Sequence, residues 1–348
     1  MSKQKSILLV MPANFGIYKA IEENLKFNGF HVITLAYDEE LFVYPSISKR
    51  LKTKFRQYIL QDKSAKHNLK SEVFQKTSQY QKVFRYLSET GGVGYALFIR
   101  ADIWSEAFLK DIRSYIKKDM VAYQWDGMNR FPRIWQNLQW FDRFYVFDPK
   151  DLYEKSDKFL PITNFYLDYP VEDNAVSSDF YFIGSHLPDR RDVIIKFGQL
   201  AKSNGWQLDF NIVCKEKDIP KLSQEYAGVA NIKLIHQIRE FQDNLKAVHK
   251  AKALIDFVTS DHTGLSFRVF EALGYGKKLI TTNVEVAHYD FYHPNNIFIW
   301  DGQDLEGIEA FMRKPYMPID PDIKEKYSFS NWIRYILNLE PYKEITLP

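Results

Sequence analysis

At 348 residues the chain is long enough for two buried cores of about 150 residues each. Its 45% hydrophobic and 26% charged residues exclude a disordered or fibrous chain, and a net charge of only +3 gives no whole-chain reason for a nucleic-acid partner. The sum conceals an asymmetry: residues 46–86 hold eleven lysines and arginines against two acidic residues, a local net of +9 that leaves −6 elsewhere.

In chain order, residues 6–11 form a continuous apolar run, the pattern of a strand buried on both faces. Residues 15–28 carry helical spacing through Ile17, Ala20, Ile21 and Leu25, and Gly29 stops the helix. A second strand is expected at 31–36. The basic segment 46–90 reads as two or more helices. Strands follow at 95–100, 120–124 and 143–147, helices at 105–117 and 132–140, and a last strand at 158–166. The acidic, proline-containing stretch 168–178 breaks the alternation and reads as a linker. The pattern then restarts, with strands at 179–183, 207–214, 231–235, 253–258, 277–281 and 296–300 and helices at 189–204, 240–250, 267–275 and 305–313. Residues 320–339 read as closing helices. Strand–helix alternation run twice predicts an α/β chain of two doubly wound, Rossmann-like domains facing across a cleft: 1–167 with the insert 46–90, the linker 168–178, and 179–319, followed by helices and tail at 320–348.

Some chemistry is excluded early. The one cysteine, Cys214, rules out a disulfide framework and reads as a buried structural thiol. The longest apolar runs are too short to span a membrane or to serve as a secretory signal core, so a cytoplasmic location is expected. Gly92 and Gly94 precede a strand instead of following one, so they are no dinucleotide fingerprint. Asp320 and Asp322 bracket a proline near the chain end, which suits a helix cap better than a metal site.

Three constellations remain. Gly184 and Ser185 follow a strand and precede a helix whose first turn carries Arg190 and Arg191, where the macrodipole disfavours cations. That placement suits a phosphate-bearing ligand, or an ordinary turn with solvated arginines. The segment 261–283 joins a polar glycine loop around Gly264, a short helix, Gly276, a buried strand and a polar turn, and sets Arg268 and Glu271 three apart on one helix face. Asp126 and Gly127 close the strand at 120–124. Asp126 is either a general base beside aromatic residues or a turn aspartate.

The segment 261–283 resembles the nucleotide-sugar site of GT-B glycosyltransferases of the group 1 and CgeB-like type, which act in bacterial polysaccharide and lipopolysaccharide synthesis. The resemblance covers the C-terminal half. It implies that Glu271 binds the donor ribose through its two acceptor oxygens, that Gly184, Ser185, Arg190, Gly264 and Arg268 lie around the diphosphate, and that His236 and Ile238 hold the base. Many retaining members carry a glutamate where this chain has Thr263; Asp261 has the wrong spacing to replace it. The implied activity is transfer of a sugar from a nucleotide-diphosphate sugar, UDP-linked first, to a hydroxyl of a surface glycan or lipid-linked precursor, without a metal or other cofactor. A GT-B-type nucleotide-sugar epimerase and a non-catalytic nucleotide- or sugar-binding protein are the alternatives. On the acceptor side, Asp126 is the candidate base, and Asn14 and Gly16 follow the first strand. Residues 49–85 interleave Phe55, Tyr58, Ile59, Phe74, Tyr80 and Phe84 with cations. They read as an amphipathic contact for the anionic inner face of the cytoplasmic membrane or as a solvated insert. No nucleic-acid module is recognisable.

Overall fold

The computed structural model describes residues 5–13, 16–38, 42–62, 64–131, 133–153, 157–170, 175–229, 231–236, 241–258, 263–303 and 306–348. By contacts the chain divides into two units. The first comprises 1–146, 151–160 and 336–339; the second comprises 147–150, 161–335 and 340–348.

The first unit opens with β1 (Lys5–Pro12), α1 (Ile17–Phe27) and β2 (Phe30–Tyr37). Three helices follow, α2 (Ile47–Tyr58), α3 (Ala65–Phe74) and α4 (Ser78–Thr90), then β3 (Tyr95–Ile99), α5 (Glu106–Arg113), β4 (Met120–Gln124), α6 (Ile134–Asn137), β5 (Arg143–Val146), α7 (Pro149–Tyr153) and β6 (Phe159–Pro161). The sheet order is β2-β1-β3-β4-β5-β6, and the pairings from β2 through β5 are parallel. Ile7 to Met11 are wholly buried, as a parallel strand covered on both faces requires. Order reverses between β1 and β3, so the topological switch point of this sheet lies there.

The basic segment is less uniform than its sequence. Phe74, Tyr80, Val83 and Leu87 are buried in the core of the first unit, and Phe84 packs against it. Phe74 and Tyr80 are therefore core residues, which corrects their expected place on an exposed amphipathic face. Only α2 behaves otherwise: Thr53 is its one buried residue, while Ile47, Leu51, Phe55 and Tyr58 are 55–79% exposed.

The second unit contains β7 (Ser178–Ser185), α8 (Pro188–Ser203), β8 (Leu208–Val213), α9 (Ile219–Glu225), β9 (Ile232–Ile235), α10 (Phe241–His249), β10 (Ala251–Asp256), α11 (Phe267–Gly274), β11 (Lys278–Thr281), β12 (Ile297–Ile299), α12 (Glu306–Arg313), α13 (Pro321–Lys326) and α14 (Phe329–Ile336). Its sheet is parallel throughout, in the order β12-β11-β10-β7-β8-β9, and its switch point lies between β10 and β7. Cys214 follows β8 and is half-buried, and burial pushes its thiol up.

The expected strand at 158–166 shrinks to β6, and residues 161–167 leave the first unit before the stretch read as a linker. Their side chains and carbonyls are committed elsewhere: Asn164 Nδ2 donates to the Leu265 carbonyl at 2.9 Å, Trp332 Nε1 donates to the Thr163 carbonyl at 2.9 Å, and Phe165 packs on Phe267, Phe329 and Trp332. Asp320 Oδ1 accepts from the Asp322 amide at 2.8 Å and Pro321 opens α13, the capping arrangement expected there.

Candidate active site

In the second unit the loop before α11 is held from several directions. Asp256, at the end of β10, is buried and accepts from Ser266 Oγ and Thr281 Oγ1, each at 2.9 Å. Thr263 donates its amide and hydroxyl to Asp148 at 3.1 and 2.6 Å, and its carbonyl accepts from Asn283 Nδ2 at 3.2 Å. A carboxylate thus stands beside Thr263, and it comes from Asp148. Gly264 has a packing reason: a Cβ there would stand 2.6 Å from the Phe147 ring and 2.8 Å from its carbonyl oxygen.

Glu271 lies on α11 and is 3% exposed. One carboxylate oxygen accepts from Arg268 at 2.5 Å and the other from Asn244 Nδ2 at 3.2 Å. Asn244 in turn accepts from the Tyr181 hydroxyl at 2.6 Å, and the Arg268 guanidinium lies over the Tyr181 ring. Burial pushes the Glu271 carboxyl up, while Arg268 and Asn244 pull it back. The three-residue spacing pointed to Arg268 and Glu271. Tyr181 and Asn244 carried no such signal, because sheet topology alone brings them there.

Gly184 and Ser185 are not a loop. They are the last residues of β7, paired with Ile212 and Val213 of β8. A Cβ on Gly184 would stand 2.8 Å from Phe182 Cζ and 3.3 Å from Arg190 Nη1, so the glycine lets Arg190 lie across the strand end. Arg191 is turned to Asp192 and Glu225. His236 is exposed after β9, the edge strand two places from β7. The structure therefore joins Gly184 with Arg190, and Arg268 with Glu271, on the two sides of the switch point, and sets His236 apart. Ile238 and Asp261 lie outside the described residues.

In the first unit Gly16 caps α1 at φ 65°, a left-handed conformation that favours glycine; Asn14 lies outside the described residues. Arg100 follows β3 with φ 64° and ψ 78°. A large side chain in this conformation costs about 1–3 kcal/mol and persists where surrounding contacts hold it. Arg100 Nε and Nη2 donate to the two oxygens of Asp102 at 3.0 and 2.7 Å, and its guanidinium lies 3.7 Å over the Phe131 ring. Asp126 follows β4. Aromatic surroundings were expected for it, but its charged neighbours are Arg130 at 3.3 Å and Arg100 at 3.9 Å. A cavity of about 450 Å³ opens here, lined by Pro12, His67, Arg100, Asp102, Arg130 and Arg133 among others.

No known family model matches the chain, and no curated protein matches it by sequence. Solved structures do resemble it in fold. An alpha-glucosyltransferase in complex with UDP and a 13-mer DNA containing a central A:G mismatch is 10% identical over 88% of this chain and 89% of that one, with a TM-score of 0.52. S. aureus MnaA with UDP is 12% identical over 98% of this chain and 100% of that one, with a TM-score of 0.50. The fold is GT-B, built from two Rossmann-like units in succession.

Proposed function

We propose that the chain is a glycosyltransferase that moves a sugar from a nucleotide-diphosphate donor to a hydroxyl of a bacterial surface glycan or its lipid-linked precursor. The observation that carries this reading is the set formed by Arg268 and Glu271 on α11, the helix after β10, with Asn244 of α10, across the switch point from Gly184 and Arg190. Crevices at such points are where open α/β sheets bind ligands. Each Glu271 oxygen makes one hydrogen bond to its neighbours and retains a second acceptor position for a ribose hydroxyl. Arg190 and Arg268 supply positive charge for the leaving diphosphate, so the reaction proceeds without a metal. Both similar structures hold UDP, which supports a UDP-sugar as donor.

Asp126 is the proposed base of an inverting transfer. It takes the proton of the acceptor hydroxyl as the new glycosidic bond forms and the nucleoside diphosphate departs with the bonding pair. A lipid-linked acceptor agrees with α2, which turns an apolar stripe outward among cations; that stripe is the proposed contact with an anionic membrane face.

The test is a screen of UDP-, GDP-, CMP- and dTDP-sugars for hydrolysis and thermal shift, repeated with EDTA. UDP-sugars are expected to be consumed, EDTA to leave the rate unchanged, and Glu271→Ala to lower turnover at least 10-fold. Consumption of the donor with release of an epimerised sugar and no transfer would favour the epimerase alternative. No shift with any nucleotide would end the proposal.

A further inference from the structure

The two side chains that hold Glu271 are themselves supported by one residue, Tyr181 of β7. Its hydroxyl donates to Asn244 Oδ1 at 2.6 Å, and the Arg268 guanidinium lies over its ring. Three elements therefore converge on one carboxylate: β7 supplies Tyr181, α10 supplies Asn244, and α11 supplies Arg268 and Glu271.

The order of donors along this relay is fixed. An ionised Glu271 only accepts, so the Asn244 amide turns Nδ2 toward it, at 3.2 Å. The amide oxygen of Asn244 then faces the Tyr181 hydroxyl and accepts from it. Without that hydroxyl the amide loses the contact that selects its orientation. Asn244 is also one of two groups that favour the ionised carboxylate against burial, and Arg268 is the other.

Stability does not account for such a relay. Tyr181, Asn244 and Glu271 are all buried, and Tyr181 belongs to the apolar cluster that contains Val248, Leu254 and Val269. A buried ion pair in such a place is often no more stabilising than apolar side chains of the same volume. What the relay achieves is a carboxylate whose two oxygens are each pinned by one donor and each keep one acceptor position. Two such positions side by side match the vicinal 2′ and 3′ hydroxyls of ribose. A 2′-deoxyribose would leave one of them without a donor.

We propose that Tyr181 and Asn244 are positioning residues that set Glu271 to read both ribose hydroxyls, so that the donor is a ribonucleotide and not its 2′-deoxy counterpart. The proposal rests on the reading of Glu271 as the ribose ligand. Calorimetric titration of the full chain with UDP and with 2′-deoxy-UDP tests it in wild type, Tyr181→Phe and Asn244→Leu. Tyr181→Phe keeps the ring beneath Arg268 and removes only the hydroxyl. Wild type should bind UDP about 10-fold more tightly than 2′-deoxy-UDP, the effect of one hydrogen bond to a charged group. In each variant that ratio should fall to about 3-fold or less, because the misplaced carboxylate no longer meets the 2′ hydroxyl. General damage to the fold would weaken both nucleotides together and leave the ratio unchanged. If Asn244→Leu fails to fold, Tyr181→Phe decides alone. Equal affinity of wild type for the two nucleotides, or a wild-type ratio retained in Tyr181→Phe, overturns the relay and leaves nucleotide binding standing. Binding of neither nucleotide to wild type removes the nucleotide-sugar reading and the relay with it.

Discussion

Glu271 is a carboxylate kept inside the second unit by one guanidinium and one amide. Burial outweighs both and raises its pKa above the ordinary 4.5. The folded chain therefore binds this proton more readily than the unfolded chain does. Stability from this group is greatest at low pH and declines as pH rises from about 4.5 through the higher folded value. Glu271→Gln cannot ionise, so its stability relative to wild type should rise between about pH 4 and about pH 7, read from urea midpoints across that range. A relative stability that falls instead would mean that Arg268 outweighs burial. At this scale the sequence revealed what lies close along the chain: Arg268 and Glu271 share a helix face, and Asp320 caps its own helix. It did not reveal Asp148 beside Thr263, since those residues are 115 positions apart. Nor did it show that Gly264 yields room to Phe147, because a glycine in a loop looks the same whether a ligand or a ring approaches it.

Elements with strong periodicity were legible. β4 matches its expected span, and β1, β7 and α8 lie within two residues of theirs, because continuous apolar runs and terminal glycines mark them. Two short helices, α7 and α9, escaped notice; they have five and seven residues and too few turns to display a period. The stretch 161–167 misled for another reason. Its apolar residues suggested a strand, yet its buried polar groups Thr163 and Asn164 serve tertiary hydrogen bonds to α14 and to the loop before α11. Trp332 is the anchor of that arrangement: it is fully buried, stacked on Phe329, packed at a tilt against Phe165, and bonded to the Thr163 carbonyl. Trp332→Ala should cost about 3–5 kcal/mol, measured by urea unfolding. Trp332→Phe, which keeps most of the packing and loses the hydrogen bond, should cost less. Equal losses in the two variants would assign the stabilisation to the hydrogen bond alone.

Over the whole molecule, charge is distributed in a way that neither unit's core explains. The segment 46–86 carries +9 and the remainder −6. The structure assigns the apolar part of that segment to two different tasks, with α4 closing the core and α2 facing outward. No helix among the described residues is long and apolar enough to cross a membrane. On α2, Ile47, Leu51, Phe55 and Tyr58 recur at helical spacing opposite the buried Thr53, and Arg50, Lys52 and Lys54 flank them. Lys49 is already paired with Glu72, and Arg56 with Asp62, which makes the three flanking cations the better probes. Each basic residue near an anionic surface contributes about 1 kcal/mol, so reversing Arg50, Lys52 and Lys54 to glutamate should weaken liposome binding by at least about 3 kcal/mol, on the order of 100-fold. Leu51→Ser with Phe55→Ser should weaken it independently of salt, and neither set should change unfolding by more than about 0.5 kcal/mol, because the replaced side chains are exposed. Sedimentation with phosphatidylglycerol vesicles at low and high salt reads both effects. If the wild type remains in the supernatant with anionic vesicles, α2 is a solvated insert; if it binds neutral vesicles equally, the cations take no part.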